Sequence, residues 1–150
     1  MAKVEPQYTR QSFFDAARRR AREARALLDY PQSQKQRDGA VTMALVAAEC
    51  ALKAALLHGR QANSVEDLQG GPVAGLFAGK KGHDLLQLWR GLPGPIIEQA
   101  TADEHQAMFC LNGAAPYQHR YGVKKPNRGL AEPLVESAER LVEWMHELVT

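Results

Sequence analysis

Gln34-Lys-Gln-Arg-Asp-Gly-Ala-Val-Thr-Met-Ala-Leu-Val-Ala-Ala-Glu-Cys-Ala-Leu-Lys-Ala-Ala-Leu-Leu-His58 is the most strongly helical segment of the chain. Val41, Leu45, Ala48, Leu52 and Leu56 recur at spacings of three and four, the period of one helical face. Alanine, the best helix former, fills much of the remainder. Gly59 reads as the C-terminal stop. The stretch before it, residues 11–29, repeats the pattern with Phe14, Ala17, Ala21, Ala24 and Leu28. Arginines fall mostly between these positions, which gives an amphipathic helix with a basic outer face, and Pro31 ends it.

Downstream, Gly70, Gly71, Pro72, Gly75, Gly79 and Gly82 break any long element, so residues 60–82 read as a loop with one short helical turn at 73–78. Residues 83–92 return to helical period, and Pro93-Gly94-Pro95 is a boundary. The next predicted helix spans 96–112, with Ile96, Ile97, Ala100, Ala107, Met108 and Leu111 inward. It is followed by an irregular stretch at 114–129. Residues 131–149 close the chain with Leu134, Ala138, Leu141, Met145 and Leu148 on one face. No alternating pattern is sustained long enough for a strand. The expectation is one all-α domain over 1–150: four main helices and a short one, packed helix on helix around a single core.

The chain has 150 residues, 45% hydrophobic and 24% charged, with a formal net charge of +2. That excludes a histone-like polycation and an acidic disordered tail. The balance conceals an asymmetry. Residues 1–30 carry seven basic and four acidic side chains, whereas 129–150 carry a single basic one, Arg140, and five acidic ones. Cys50 and Cys110 do not make a disulfide framework and sit in apolar helical surroundings. No uninterrupted apolar run reaches 18 residues, and the start lacks a secretory h-region. The expectation is therefore a cytoplasmic protein with no membrane partner.

An ordered set of motifs carries a resemblance. Ala47-Ala48-Glu49-Cys50-Ala51-Leu52-Lys53 lies in the second helix, Gly82-His83-Asp84-Leu85 follows a variable loop, and His119-Arg120-Tyr121 precedes the last helix. With the opening Phe13-Phe14-Asp15-Ala16-Ala17-Arg18-Arg19, they resemble the HEPN family (higher eukaryotes and prokaryotes nucleotide-binding domain) from about residue 11 to the end. The resemblance implies an up-and-down helical bundle, a homodimer, and a place in toxin–antitoxin or phage-defence systems beside a nucleotidyltransferase-type antitoxin. It also implies RNA or nucleotide binding, and in many members metal-independent ribonuclease action. Those members carry an Arg followed after four to six residues by His. Here Asn112, Gly113 and Ala114 stand where that Arg would precede His119, and Asn112 retains the capacity to hydrogen-bond a phosphate. The literal match is Arg140-Leu-Val-Glu-Trp-Met-His146, whose spacing puts the two side chains on different helix faces.

Read as chemistry, His119 offers an acid or base near neutral pH, Arg120 a bidentate fork for phosphate, and Tyr121 a stacking face. In a cleaving enzyme the 2′-hydroxyl would attack the adjacent phosphate, with His119 assisting proton transfer and Arg120 stabilising the developing charge. Glu49 and Lys53 adjoin on one helix face as a stabilising i,i+4 pair. Glu49 borders the most apolar stripe, so it needs a partner: Lys53, Arg120 or Tyr121. His83 reads either as a helix-start residue that bonds a carboxylate or as part of the same cleft. Arg18, Arg19, Arg20, Arg22 and Arg25 read as a solvated face or an RNA contact, and Lys124, Lys125 and Arg128 form a second basic cluster. Tyr117 and Tyr121 are acceptors in a variant reading, a toxin silenced by nucleotidylation. No zinc spacing and no phosphate-binding glycine loop is present, so no metal and no cofactor are expected. The alternative to an RNA- or nucleotide-binding protein is a non-catalytic dimerisation or partner-docking module, in which Glu49, Lys53 and Arg120 form a buried polar core.

Overall fold

The second helix, α2 (Gln34–Gly59), is buried on every side: besides the predicted stripe, Ala40, Ala44, Ala47, Ala51, Ala54 and Ala55 have almost no exposed surface. Small side chains on all faces let neighbours approach closely, and the computed structural model packs α1 (Arg10–Asp29), the C-terminal helix and a short helix around it. The model describes residues 8–30, 34–77, 84–114 and 128–150. Those residues are overwhelmingly helical and contain no strand beyond one isolated bridge, Thr9 to Ser64, so the all-α helical bundle holds. In chain order the remaining elements are a 3-10 turn (Glu66–Leu68), α3 (Gly71–Gly75), α4 (Leu85–Arg90), α5 (Gly94–Ile97), α6 (Ala102–Gly113) and α7 (Arg128–Val149).

Counting uninterrupted apolar runs understated α2. Averaged over 18 residues, the segment Gln36–Gly59 reaches a mean hydropathy of 1.8, enough by length and composition to cross a membrane. Yet 83% of that window is buried inside the bundle, so its apolarity is used by packing within the chain.

Two other expectations are corrected. The predicted helix over 96–112 is two: α5 ends near Glu98, and α6 starts afresh from Thr101. The Thr101 hydroxyl accepts from the Asp103 backbone, and the Thr101 N–H donates to Glu104 Oε1 (3.1 Å), a reciprocal cap that fixes a new helix start. The earlier helix α4 begins at Leu85, two residues later than the predicted start at 83, because Asp84 is its N-cap and accepts from the N–H groups of Leu86 (3.1 Å) and Gln87 (3.2 Å).

α2 ends at Gly59, as expected, but the left-handed position that closes the turn is not the glycine. That position is Gln61 (φ 55°), whose N–H donates to His58 O while the Ala62 N–H donates to Leu57 O (2.9 Å). Gly59 is needed for space instead: a Cβ there would lie 2.9 Å from Pro93 Cγ.

The charge asymmetry resolves into contacts. Arg25 on α1 grips Glu139 on α7 with Nη2 at 2.6 Å and Nε at 3.2 Å, a two-point bond that raises the guanidinium pKa further. Arg20 pairs with Glu23 at 2.7 Å along α1. A groove lined by Arg18, Arg22, Glu139, Glu143 and His146 runs between the two helices, so part of the basic face meets the acidic helix.

Candidate functional site

Glu49 and Lys53 are brought together as the i,i+4 spacing requires, with Lys53 Nζ donating to Glu49 Oε2 at 3.1 Å. Both are nine-tenths buried, at 8% and 7% exposure. This settles one of the partner choices for Glu49: Lys53 is bonded to it. Burying two charges is costly unless they pair, and this pair has further support. The Lys53 ammonium lies 5.7 Å from the centre of the Phe13 ring, within cation–π range.

The pair forms the floor of a cavity of about 590 Å³ between the start of α1 and the middle of α2. Aromatic rings make its wall: Tyr8 stacks on Phe13 with centroids 6.0 Å apart, and Phe77 meets Phe13 at 5.8 Å. Ser12, Cys50 and Val65 complete the lining. Capping and backbone bonds join the neighbouring segments. Thr9 caps α1 through a reciprocal box with Ser12 (2.9 Å each way), the Arg10 N–H donates to Asn63 O (2.7 Å), and the Val65 N–H donates to Tyr8 O (3.1 Å). Tyr8 is 56% exposed and marks the rim. Volume, an apolar wall and a few converging polar groups are the attributes of a small-molecule site.

No other sequence candidate among the described residues lines it. Asn112 is exposed in the last turn of α6 and is not among the lining residues. His83, His119, Arg120, Tyr121 and Lys124 lie outside the described residues, as do Tyr117 and Lys125. The literal Arg–His match is dispersed, as its spacing foretold. Arg140 Nε donates to Glu104 Oε2 at 2.9 Å, while His146 packs on Phe14 with centroids 5.5 Å apart. Glu104 is 1% exposed and also accepts from the Thr101 hydroxyl at 2.9 Å. Burial alone would push its carboxyl up; the bonds from Thr101 and Arg140 outweigh that and hold it below the ordinary carboxylate value. Arg140 is accordingly a tie between α6 and α7. Among the described residues no three His, Cys, Asp or Glu side chains gather closely enough to hold a metal ion.

The cavity wall was missed in the sequence because Phe13 and Phe14 are adjacent. Consecutive helical residues lie about 100° apart, so both cannot belong to one stripe. Phe14 faces α7 and Phe13 faces the cavity. Two neighbouring large aromatics on an otherwise alanine-rich helix were the available signal.

No family model, no curated protein and no solved structure matches the chain.

Proposed function

We propose that this chain is a HEPN-like helical bundle that binds RNA or a nucleotide as a binding module. The observation that carries the proposal is the Glu49–Lys53 pair at the floor of an aromatic-walled cavity. Rings supply stacking faces for a base, and the buried ion pair supplies a donor and an acceptor side by side. The ordered motifs around Glu49, Gly82-His83-Asp84-Leu85 and His119-Arg120-Tyr121 support the family reading, and the all-α bundle is consistent with it. With that reading come a homodimer and a nucleotidyltransferase-type antitoxin partner in a toxin–antitoxin or defence system. Cleavage, where it occurs, belongs to His119 and Arg120, because Arg140 and His146 are committed to different contacts.

The test is fluorescence anisotropy of an end-labelled single-stranded RNA titrated with the full chain, followed by a denaturing gel. The proposal expects saturable, salt-sensitive binding with the RNA recovered intact. Cleavage that His119→Ala abolishes would convert the module into a ribonuclease. Absence of binding would remove the function.

A second reading is favoured by the geometry of the pair itself. Two buried charges bonded at 3.1 Å also describe a polar core whose role is structural. Glu49→Ala separates the two: a large loss of melting temperature with RNA affinity unchanged supports the partner-docking module.

A further inference from the structure

We propose that the groove between α1 and α7 is where a second copy of this chain docks. Its two walls carry opposite charge. Arg18 and Arg22 stand on the α1 wall and Glu139 and Glu143 on the α7 wall, above a buried floor of Ala21 and Val142. Two anchors fix the level of these side chains. Arg25 grips Glu139 at one end of the groove, and Phe14 packs on His146 at the other. Arg18 and Arg22 fall between the anchors on α1, and Glu143 falls between them on α7. Arg25 neutralises Glu139, but the remaining charges are not matched within the chain. Among the described residues no carboxylate pairs with Arg18 or Arg22. Glu143 makes a long contact of 3.8 Å with Arg140 Nη1, and its side chain is 63% exposed. Arg140 itself is bonded to Glu104.

A basic ridge beside an acidic ridge is self-complementary under one symmetry. A twofold axis parallel to the groove turns a second copy face down, sets its α1 over α7, and keeps every residue at its own level. Arg18 and Arg22 of each copy then lie against Glu143 of the other, and each contact occurs twice. An axis across the groove would instead set α1 on α1, arginine against arginine, and such like-charge contacts are strongly disfavoured. Arg18 is already held, with its guanidinium 5.5 Å from the centre of the Phe14 ring, so less side-chain freedom is lost on docking. The two helices have 20 and 22 residues. At their ordinary rise and width they present a face about 30 Å by 20 Å, about 600 Å² per copy. Specific interfaces bury about 800 Å² per partner, so this face suits a weak, reversible dimer whose register is set by charge. The homodimer that accompanies the family reading leaves its face unspecified. The groove specifies it from this chain's own charges, independently of any nucleotide.

The experiment is sedimentation velocity of the full chain over a wide range of concentration, at about 0.05 M and about 0.5 M salt. It is repeated on Arg22→Glu, on Glu143→Arg and on the double variant, with a thermal melt and an RNA titration of each. Both positions are exposed, so the variants keep the fold. The expected result is a concentration-dependent dimer that the higher salt weakens. Each single reversal should raise the dimer Kd about tenfold or more, because it sets like charges together at two symmetric places. The double variant restores the attraction and should return the Kd to within about threefold of the unaltered chain. A monomer at every concentration would overturn the interface and leave the nucleotide reading standing. A dimer that neither single variant weakens would overturn the face, and weakening that the double variant does not repair would overturn the pairing of Arg22 with Glu143. Loss of RNA binding by Arg22→Glu with self-association unchanged would overturn the proposal in favour of a phosphate-backbone contact on α1.

Discussion

Replacing Arg140 by alanine separates a structural arginine from a catalytic one. Its guanidinium bonds Glu104, a side chain with 1% of its surface exposed, and so fastens α6 to α7. Removing one partner of a fully buried pair costs about 3–5 kcal/mol, because the remaining charge is left uncompensated. Two features of this site lower the figure. Glu104 keeps two bonds from Thr101, and Arg140 is about one-third exposed, so water replaces part of what is lost. The expected cost is about 2–3 kcal/mol. For a chain of this length that lowers the melting temperature by roughly 5–10 °C. The assay is thermal and urea unfolding followed by circular dichroism at neutral pH, with RNA binding measured on the same preparations at a temperature where both are folded. Arg140→Lys keeps the charge but not the planar fork and should recover part of the loss. Unchanged stability of Arg140→Ala, accompanied by loss of RNA cleavage or binding, would refute the structural assignment and reinstate the Arg140–His146 motif.

Other consequences follow from the same contacts. The Glu104 carboxyl sits below its ordinary value of 4.5, so its stabilising contribution is present above that pH and is lost as pH falls through the folded-state value. Unfolding free energy should decline below about pH 4.5, and Glu104→Gln should flatten that decline. Glu49 and Lys53 should behave as a coupled pair. Glu49→Met or Lys53→Met alone costs about 3 kcal/mol, and a double-mutant cycle with coupling near zero would disprove the buried pairing. At the end of α2, Gln61→Gly relieves a left-handed residue and should stabilise the protein by about 1 kcal/mol in urea unfolding.

The bundle was legible because burial and helical period coincide. The stripes beginning at Phe14, Val41 and Leu134 each face the core, and α1 and α2 begin and end close to where period and breakers put them. What periodicity could not give was capping. The Thr101-x-x-Glu104 pattern marks a helix start, yet a continuous apolar period from Ile96 to Leu111 conceals the break. The same holds at the end of α2, where a glycine draws attention although the left-handed turn belongs to Gln61. The Glu49–Lys53 pair was legible because i,i+4 geometry is local. The aromatic wall was not: Tyr8, Phe13 and Phe77 meet only after the Thr9–Ser64 bridge joins two segments more than fifty residues apart. Charge sums were likewise uninformative until the fold set Arg25 beside Glu139.

Entry of a nucleotide into the cavity above Glu49 and Lys53 is what the proposed function most depends on. The most direct measurement is the amide 1H–15N spectrum of the full chain titrated with GMP. Nucleotide binding there predicts saturable shifts concentrated on Tyr8, Ser12, Phe13, Cys50, Lys53 and Val65, with the α6–α7 tie at Glu104 and Arg140 undisturbed. Shifts confined to the Arg18–Glu139 groove, or a spectrum unchanged at millimolar GMP, would contradict it.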